Sequence, residues 1–156
     1  MDQRLAAALA AAGHRLALAE SCTGGLIAHR MTRVPGSSVY FDRGLVVYSN
    51  AAKSDLLGVP RAVLETDGAV SEACARAMLA GLFRNTPATV GAAVTGIAGP
   101  SGGTPGQPVG TVWIAWGLRG ECRTECRRFG GERVEVMEAV AEHVLHLLLD
   151  RVGESR

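Results

Sequence analysis

The chain is poor in aromatic residues: three Phe, two Trp and two Tyr make up 4% of its 156 residues. A core built from this composition has to be filled by Ala, Val, Leu and Ile. No run of about 18 apolar residues occurs, which argues against a membrane-spanning helix. The opening Met1-Asp2-Gln3-Arg4, followed by alanines, lacks the longer apolar core of a signal peptide. Charge of one sign is also missing, because 16 Lys and Arg face 15 Asp and Glu for a net charge of +1. Nucleic-acid binding calls for a strongly basic face, and none is provided. The densest basic run, Arg123, Arg127, Arg128 and Arg133, is broken by Glu121, Glu125 and Glu132 and reads as a solvated strand face. Of the four cysteines, Cys22, Cys74, Cys122 and Cys126, no two form a CxxC pair, and no paired His spacing completes a zinc site. Cys122 and Cys126 fall on one face of a strand, too far apart along it to bond readily. These absences lead us to expect a cytoplasmic protein with free thiols, no membrane contact, no nucleic-acid partner and no metal.

What is present is glycine, 20 residues of it, on a 47% apolar background. The length suits one domain spanning 1–156, and a domain of this size buries roughly 70% of its unfolded surface without a metal or disulfide. An Ala/Leu-rich helix is expected over 2–12, closed by Gly13, and a buried strand over 15–19. A helix over 26–32 follows the turn Ser21-Cys22-Thr23-Gly24-Gly25. A strand falls within 39–49, strongest over 44–48, and a short helix carrying Lys53 is capped by Ser49 or Asn50. Further helices are expected at 61–65 and from Ser71 to about Phe83, and a buried strand at 89–94. A long Gly/Pro/Ser loop covers 95–108. Strands at 111–118 and 122–129 form a hairpin about Arg119-Gly120-Glu121. An amphipathic helix runs over 134–152, and 153–156 is expected to fray. Its apolar stripe suits core packing and a homo-oligomer contact equally. Strands that alternate with helices early and pair as a hairpin late imply an α/β fold, a mixed sheet with helices on both faces.

Four stretches can carry chemistry. Ser21-Cys22-Thr23-Gly24-Gly25 lies where a strand ends and a helix begins, the edge at which open α/β sheets bind ligands. A hydroxyl there can attack a carbonyl, with neighbouring N–H groups as oxyanion donors, but Ser21 or Thr23 would serve equally as a helix cap. Cys22 is a rival nucleophile, since a thiol at a helix start can have a lowered pKa; none of His14, His29, His143 and His146 is evidently placed as its base. Lys53, on the first turn of a short helix, can lose its proton through burial and the positive helix end and then serve as a base toward a serine, with Tyr48 as proton relay; alone, it reads as an exposed helix lysine. The Gly-rich stretch from Thr95-Gly96 to Gly103 follows a buried strand and can wrap a polar group, although it is neither a Walker A loop nor a dinucleotide fingerprint. Ser37 and Ser38, after Pro35-Gly36, suit either a turn or a polar contact.

Taken together and in order, 19–25, 35–38, 44–53, 68–72, 95–100 and 108–112 resemble the C-terminal domain family of the competence/damage-inducible protein CinA, whose stand-alone members are nicotinamide-nucleotide amidases. The resemblance covers nearly the whole chain. It implies a three-layer α/β/α fold and hydrolysis of nicotinamide mononucleotide to nicotinic acid mononucleotide and ammonia, in pyridine-nucleotide recycling, with no metal or organic cofactor. The family's serine, lysine and tyrosine fall on Ser21, Lys53 and Tyr48. Two departures stand out: Asp67 where many relatives have His, and Gly131-Glu132-Arg133 where they often have Gly-Asp-Arg. Arg133 is retained and is a candidate phosphate contact.

The expected chemistry is acyl transfer. Lys53 takes the Ser21 proton, and backbone N–H groups of Cys22, Thr23 and Gly24, or of the Thr95-Gly96 turn, hold the oxyanion. Glu20 is a candidate for selecting the cationic pyridinium ring. The competing readings are a Cys22 thiol amidohydrolase and a non-catalytic nucleotide-binding domain with a regulatory role in competence or DNA damage.

Overall fold

Alternate residues of a strand face opposite sides, and the first strand shows what that does here. In β1 (Leu16–Glu20), Leu16 and Leu18 join one buried cluster and Ala17 and Ala19 join a second, on the other side of the sheet. The computed structural model describes residues 1–155. The remaining strands are β2 (Phe41–Val46), β3 (Val90–Gly96), β4 (Thr111–Leu118) and β5 (Arg123–Arg128). They form a mixed sheet in the order β2-β1-β3-β4-β5. β2, β1 and β3 are parallel, and β4 and β5 are antiparallel additions on the far side.

Helices α1 (Asp2–Ala11), α2 (Leu26–Thr32) and α6 (Arg133–Glu154) cover the Leu16/Leu18 face. Helices α3 (Asn50–Leu57), α4 (Arg61–Thr66) and α5 (Glu72–Arg84) cover the other. The fold is therefore a three-layer α/β/α sandwich, as expected. The apolar stripe of α6 (Val136, Val140, Val144, Leu145, Leu148 and Val152) is taken up by the core. No helix among the described residues is long and apolar enough to cross a membrane.

The scarcity of aromatics has a structural counterpart on the α5 side, where the sheet presents Ala17, Ala19, Gly91, Ala93 and Ala115. A methyl group on Gly91 would stand only 3.1 Å from the Phe83 ring, so α5 lies directly on the strands.

Three elements differ from the sequence reading by two residues or more at a boundary, and the others by at most one. β2 spans six residues within 39–49, because a single 3-10 turn (Ser37–Val39) precedes it and the chain leaves the sheet after Val46. The Val47 N–H still bonds the Glu20 carbonyl at 2.8 Å. β3 runs on through Gly96, where any side chain would collide with Val112, so the loop starts at Ile97. α6 continues through Gly153 to Glu154, where Arg123 pairs with the Glu154 carboxylate at 2.7 Å instead of leaving a frayed end.

α3 and α5 approach most closely at Gly81: a Cβ there would lie 1.8 Å from the Leu57 carbonyl oxygen. Gly81→Ala is expected to destabilise the protein by about 3 kcal/mol through overpacking and to push α3 off its seat. Urea denaturation measures the first effect, and faster amide hydrogen exchange in α3 measures the second.

Candidate active site

Ser21 continues the line of β1, its N–H bonding the Val94 carbonyl at 3.1 Å. By the alternation of the strand its side chain follows Ala17 and Ala19 to the α3/α5 side. Lys53 waits there on the fourth residue of α3, a helix started by Ser49, whose hydroxyl accepts from the Ala52 N–H at 3.0 Å. Lys53 Nζ lies 3.1 Å from Ser21 Oγ, joining residues 32 apart in sequence. The serine is 7% exposed and the lysine 1%.

The amine has two other partners, the carbonyl oxygens of Val47 at 2.9 Å and Tyr48 at 3.2 Å. Among the described residues no carboxylate ion-pairs with it. Burial holds its pKa below the ordinary lysine value, outweighing the opposite pull of the Cys74 and Cys22 thiols. A neutral amine has two N–H bonds and one lone pair. Both carbonyls can only accept, so they take the two N–H bonds and leave the lone pair for the Ser21 hydroxyl. In this geometry a neutral amine can act as a base toward a serine hydroxyl. The sequence could not point to the two carbonyls, since any residue would supply them.

Cys22, the rival nucleophile, faces the other way. It belongs to the cluster on the α6 side, and burial pushes its thiol up to about 11. A thiol that stays protonated in an apolar layer is inert. No histidine assists it: His14 bonds Thr89 Oγ1, His29 is exposed, His143 contacts Glu125, and His146 pairs with Glu142.

The other anticipated residues divide. Thr95 and Gly96 are brought beside Ser21 at the end of β3, where Thr95 Oγ1 donates to the Ala69 carbonyl at 2.7 Å. Gln107 Nε2 donates to the Val70 carbonyl at 2.6 Å, tying the Gly-rich loop to the start of α5. In the turn, the Gly24 N–H is spent on the Ser21 carbonyl at 3.0 Å, and Gly24 holds a left-handed φ of 60°. The N–H groups of Cys22 and Thr23 bond to no other residue among those described, and they are the donors left over.

Three anticipated roles change. Glu20 does not face a ligand: its carboxylate is 1% exposed and turned into the start of α2. The Tyr48 phenol is 59% exposed and accepts a 2.8 Å bond from Arg133. It is the Tyr48 carbonyl that touches Lys53, so the hydroxyl is not placed as a relay in this conformation. Ser37 and Ser38 lie ahead of β2, at the opposite edge of the sheet from Ser21, where Ser37 Oγ bonds the Thr32 carbonyl and Arg15 bonds the Ser38 carbonyl. They do not join the dyad within this chain.

Arg133 opens α6 and bridges the two lips of the site, donating to the Gly99 carbonyl at 2.7 Å and to the Tyr48 hydroxyl. Beside it is a cleft of about 490 Å³ lined by Ala98, Pro100, Val109, Gly131, Glu132 and Arg133. Neither this cleft nor another hollow of about 390 Å³, between α3 and α4, is lined by Ser21 or Lys53. Among the described residues no cluster of His, Cys, Asp and Glu is arranged to hold a metal.

Residues 1–152 match the family model of the CinA C-terminal domain. The chain belongs to that family. It is 51% identical over 137 residues to a CinA-like protein of Akkermansia muciniphila, covering 87% of this chain and 33% of that protein. It is likewise 51% identical over 140 residues to one of Geobacter sulfurreducens, covering 90% of this chain and 34% of that protein. The chain thus spans about a third of the length of these relatives. Among solved structures, a CinA superfamily protein of Klebsiella pneumoniae superimposes with a TM-score of 0.95 at 37% identity, covering 98% of this chain and 96% of that one. The competence/damage-inducible protein CihA of Agrobacterium tumefaciens gives 0.93 at 40%, covering 96% and 92%.

The burial pattern makes a thiol count decisive. In the folded protein, a thiol-specific disulfide reagent is expected to modify the exposed Cys122 and Cys126, while Cys22 and Cys74 react only after denaturation. Peptide mapping by mass spectrometry assigns the sites; rapid labelling of Cys22 in the native state would contradict the inert-thiol assignment.

Proposed function

We propose that this CinA domain hydrolyses the carboxamide of nicotinamide mononucleotide to nicotinic acid mononucleotide and ammonia, with Ser21 as nucleophile and Lys53 as base. The observation that carries the reaction type is the 3.1 Å contact between a buried amine and a buried hydroxyl, with two backbone carbonyls as the amine's other partners. The substrate rests on the family resemblance, whose stand-alone members are nicotinamide-nucleotide amidases.

The steps follow from the dyad. Lys53 takes the proton of Ser21 as Oγ bonds to the carboxamide carbon. The resulting oxyanion is met by the N–H groups of Cys22 and Thr23, which bond to no other residue among those described; one such donor is worth about 3 kcal/mol of barrier in comparable enzymes. The Lys53 ammonium then returns its proton to the departing nitrogen, and ammonia leaves an acyl ester on Ser21. Water attacks the ester, Lys53 accepts its proton, and Ser21 recovers a proton as the acid is released. The nearby thiol does not compete, for the reasons of facing and protonation given above.

The test is ammonia release from the mononucleotide. Ser21→Ala and Lys53→Ala are expected to fold and to lose about 10³-fold or more in kcat. Lys53→Arg is expected to be equally inactive, because a guanidinium keeps its proton at any working pH. In wild type the amine must be neutral to act, so kcat/KM is expected to rise with pH through one ionisation lying below 10.5, the ordinary lysine value. A flat profile, or normal turnover in Lys53→Ala, removes lysine from the mechanism.

Arg133 is the proposed phosphate contact. Among the described residues its side chain bonds a carbonyl and a phenol and pairs with no carboxylate, at the mouth of a cleft of suitable size. Arg133→Ala is expected to raise KM for the mononucleotide by about tenfold or more with kcat nearly unchanged. Nicotinamide riboside, which lacks the phosphate, should not register the change.

A further inference from the structure

Glu20 is a buried carboxylate that the reaction above does not use. It is 1% exposed and has no ion pair with Lys or Arg among the described residues. It accepts four hydrogen bonds. Oε2 receives the Thr23 hydroxyl at 2.6 Å and the N–H groups of Gly25 and Ile27, both at 3.1 Å. Oε1 receives the Ala28 N–H at 2.8 Å. All four donors lie within eight residues after it and bracket the turn that follows Ser21.

We infer that Glu20 is a positioning residue for the oxyanion site, clamping the 21–25 turn so that the Cys22 and Thr23 N–H groups are held toward the carbon attacked by Ser21. Three geometric facts carry this. First, the donors of the turn and of the first turn of α2 are sorted: Gly25, Ile27 and Ala28 go to Glu20, Gly24 to the Ser21 carbonyl and Leu26 to the Thr23 carbonyl, which leaves the N–H groups of Cys22 and Thr23 without another residue as partner among those described. Second, Glu20 and Ser21 are consecutive and face opposite sides of the sheet, so the carboxylate grips the backbone of the turn from behind while the hydroxyl works in front. Third, two glycines with left-handed φ, Gly24 at 60° and Gly25 at 98°, give the turn no stiffness of its own. The clamp supplies the rigidity that a preorganised oxyanion site requires.

The inference rests on the serine-amidase reading and is separable from it by experiment. Glu20→Gln keeps the shape and replaces one acceptor with an NH2 group. Either orientation then points a donor at a donor, at the Ala28 N–H or at the Gly25 and Ile27 N–H groups, while the Thr23 hydroxyl can turn to accept. The readouts are ammonia release from nicotinamide mononucleotide, thermal unfolding, and the affinity of a pyridyl boronic acid. That probe forms a tetrahedral adduct with a serine hydroxyl and places an oxygen in the oxyanion position whatever the natural substrate.

The expected result is a fall of about tenfold or more in kcat and in boronate affinity, with KM unchanged, because the donors act on the tetrahedral state and not on the bound amide. Thr23→Val removes one donor to the carboxylate while keeping the Thr23 N–H, and is expected to show the same split at smaller size. It decides the matter if Glu20→Gln does not fold. A folded variant with kcat and boronate affinity within about twofold of wild type overturns the inference, as does a loss confined to thermal stability or KM. Wild type that binds the boronate without releasing ammonia overturns the substrate and leaves the clamp to be judged on boronate affinity. Wild type that does neither overturns the serine reading, and the clamp with it.

Discussion

A lysine amine shut away from water without a carboxylate is the constraint around which this site is organised. Burying an ammonium ion costs several kcal/mol even after the surroundings relax. The protein meets that cost with two carbonyls and a hydroxyl, a set that a neutral amine satisfies as fully as an ammonium does. Burial without an opposing charge therefore favours loss of the proton. Much of the local architecture serves this end. β2 stops at Val46 so that the next two carbonyls can leave the sheet and turn toward Nζ. Ser49 starts α3 at once, and Gly81 lets the far end of α3 settle onto α5. A longer β2 would have kept both carbonyls in the sheet.

The sheet itself divides labour between its faces. On the α5 side small residues bring a helix close and leave room at the strand ends for Ser21, Lys53 and Thr95. On the α6 side larger residues fill a thicker core, which also receives Cys22. The Gly-rich loop after β3 is not a free flap: Gln107 ties it to Val70, Arg133 ties Gly99 to α6, and the Ile97 and Gly110 N–H groups bond the Thr111 and Ile97 carbonyls.

Much of this was legible in the amino-acid order. The α/β class, the Leu26–Thr32 helix and the Thr111–Leu118 strand follow from periodicity, and the start of α3 at Ser49 or Asn50, of which Ser49 is the cap, from capping chemistry. The ordered motifs point to the family. Ser21 and Lys53 could be named as partners, but their meeting could not be read from spacing, because a contact across 32 residues depends on where two strands sit in the sheet. Tyr48 illustrates a different limit. The position matters for its carbonyl, which carries no side-chain signature, while the phenol that drew attention points out to Arg133. Ser37 and Ser38 illustrate a third: a polar turn looks the same whichever end of the sheet it lies on, and the parallel pairing of β1 with β2 puts this one at the far end.

Glu20 and Cys22, on either side of Ser21, show why neighbouring residues of similar promise take different parts. A carboxylate next to a candidate nucleophile suggests ligand recognition, and a thiol there suggests an alternative nucleophile. Strand geometry removes both options, because the residues before and after Ser21 look toward the α6 layer. What each then does follows from its chemistry. The carboxylate needs donors and finds four in the turn it precedes. The thiol needs none, joins the apolar layer and keeps its proton. Only the hydroxyl shares a side with the amine. In the proposed reaction the choice of serine over cysteine is thus made by which face of the sheet each side chain is on, before any difference in intrinsic reactivity can matter.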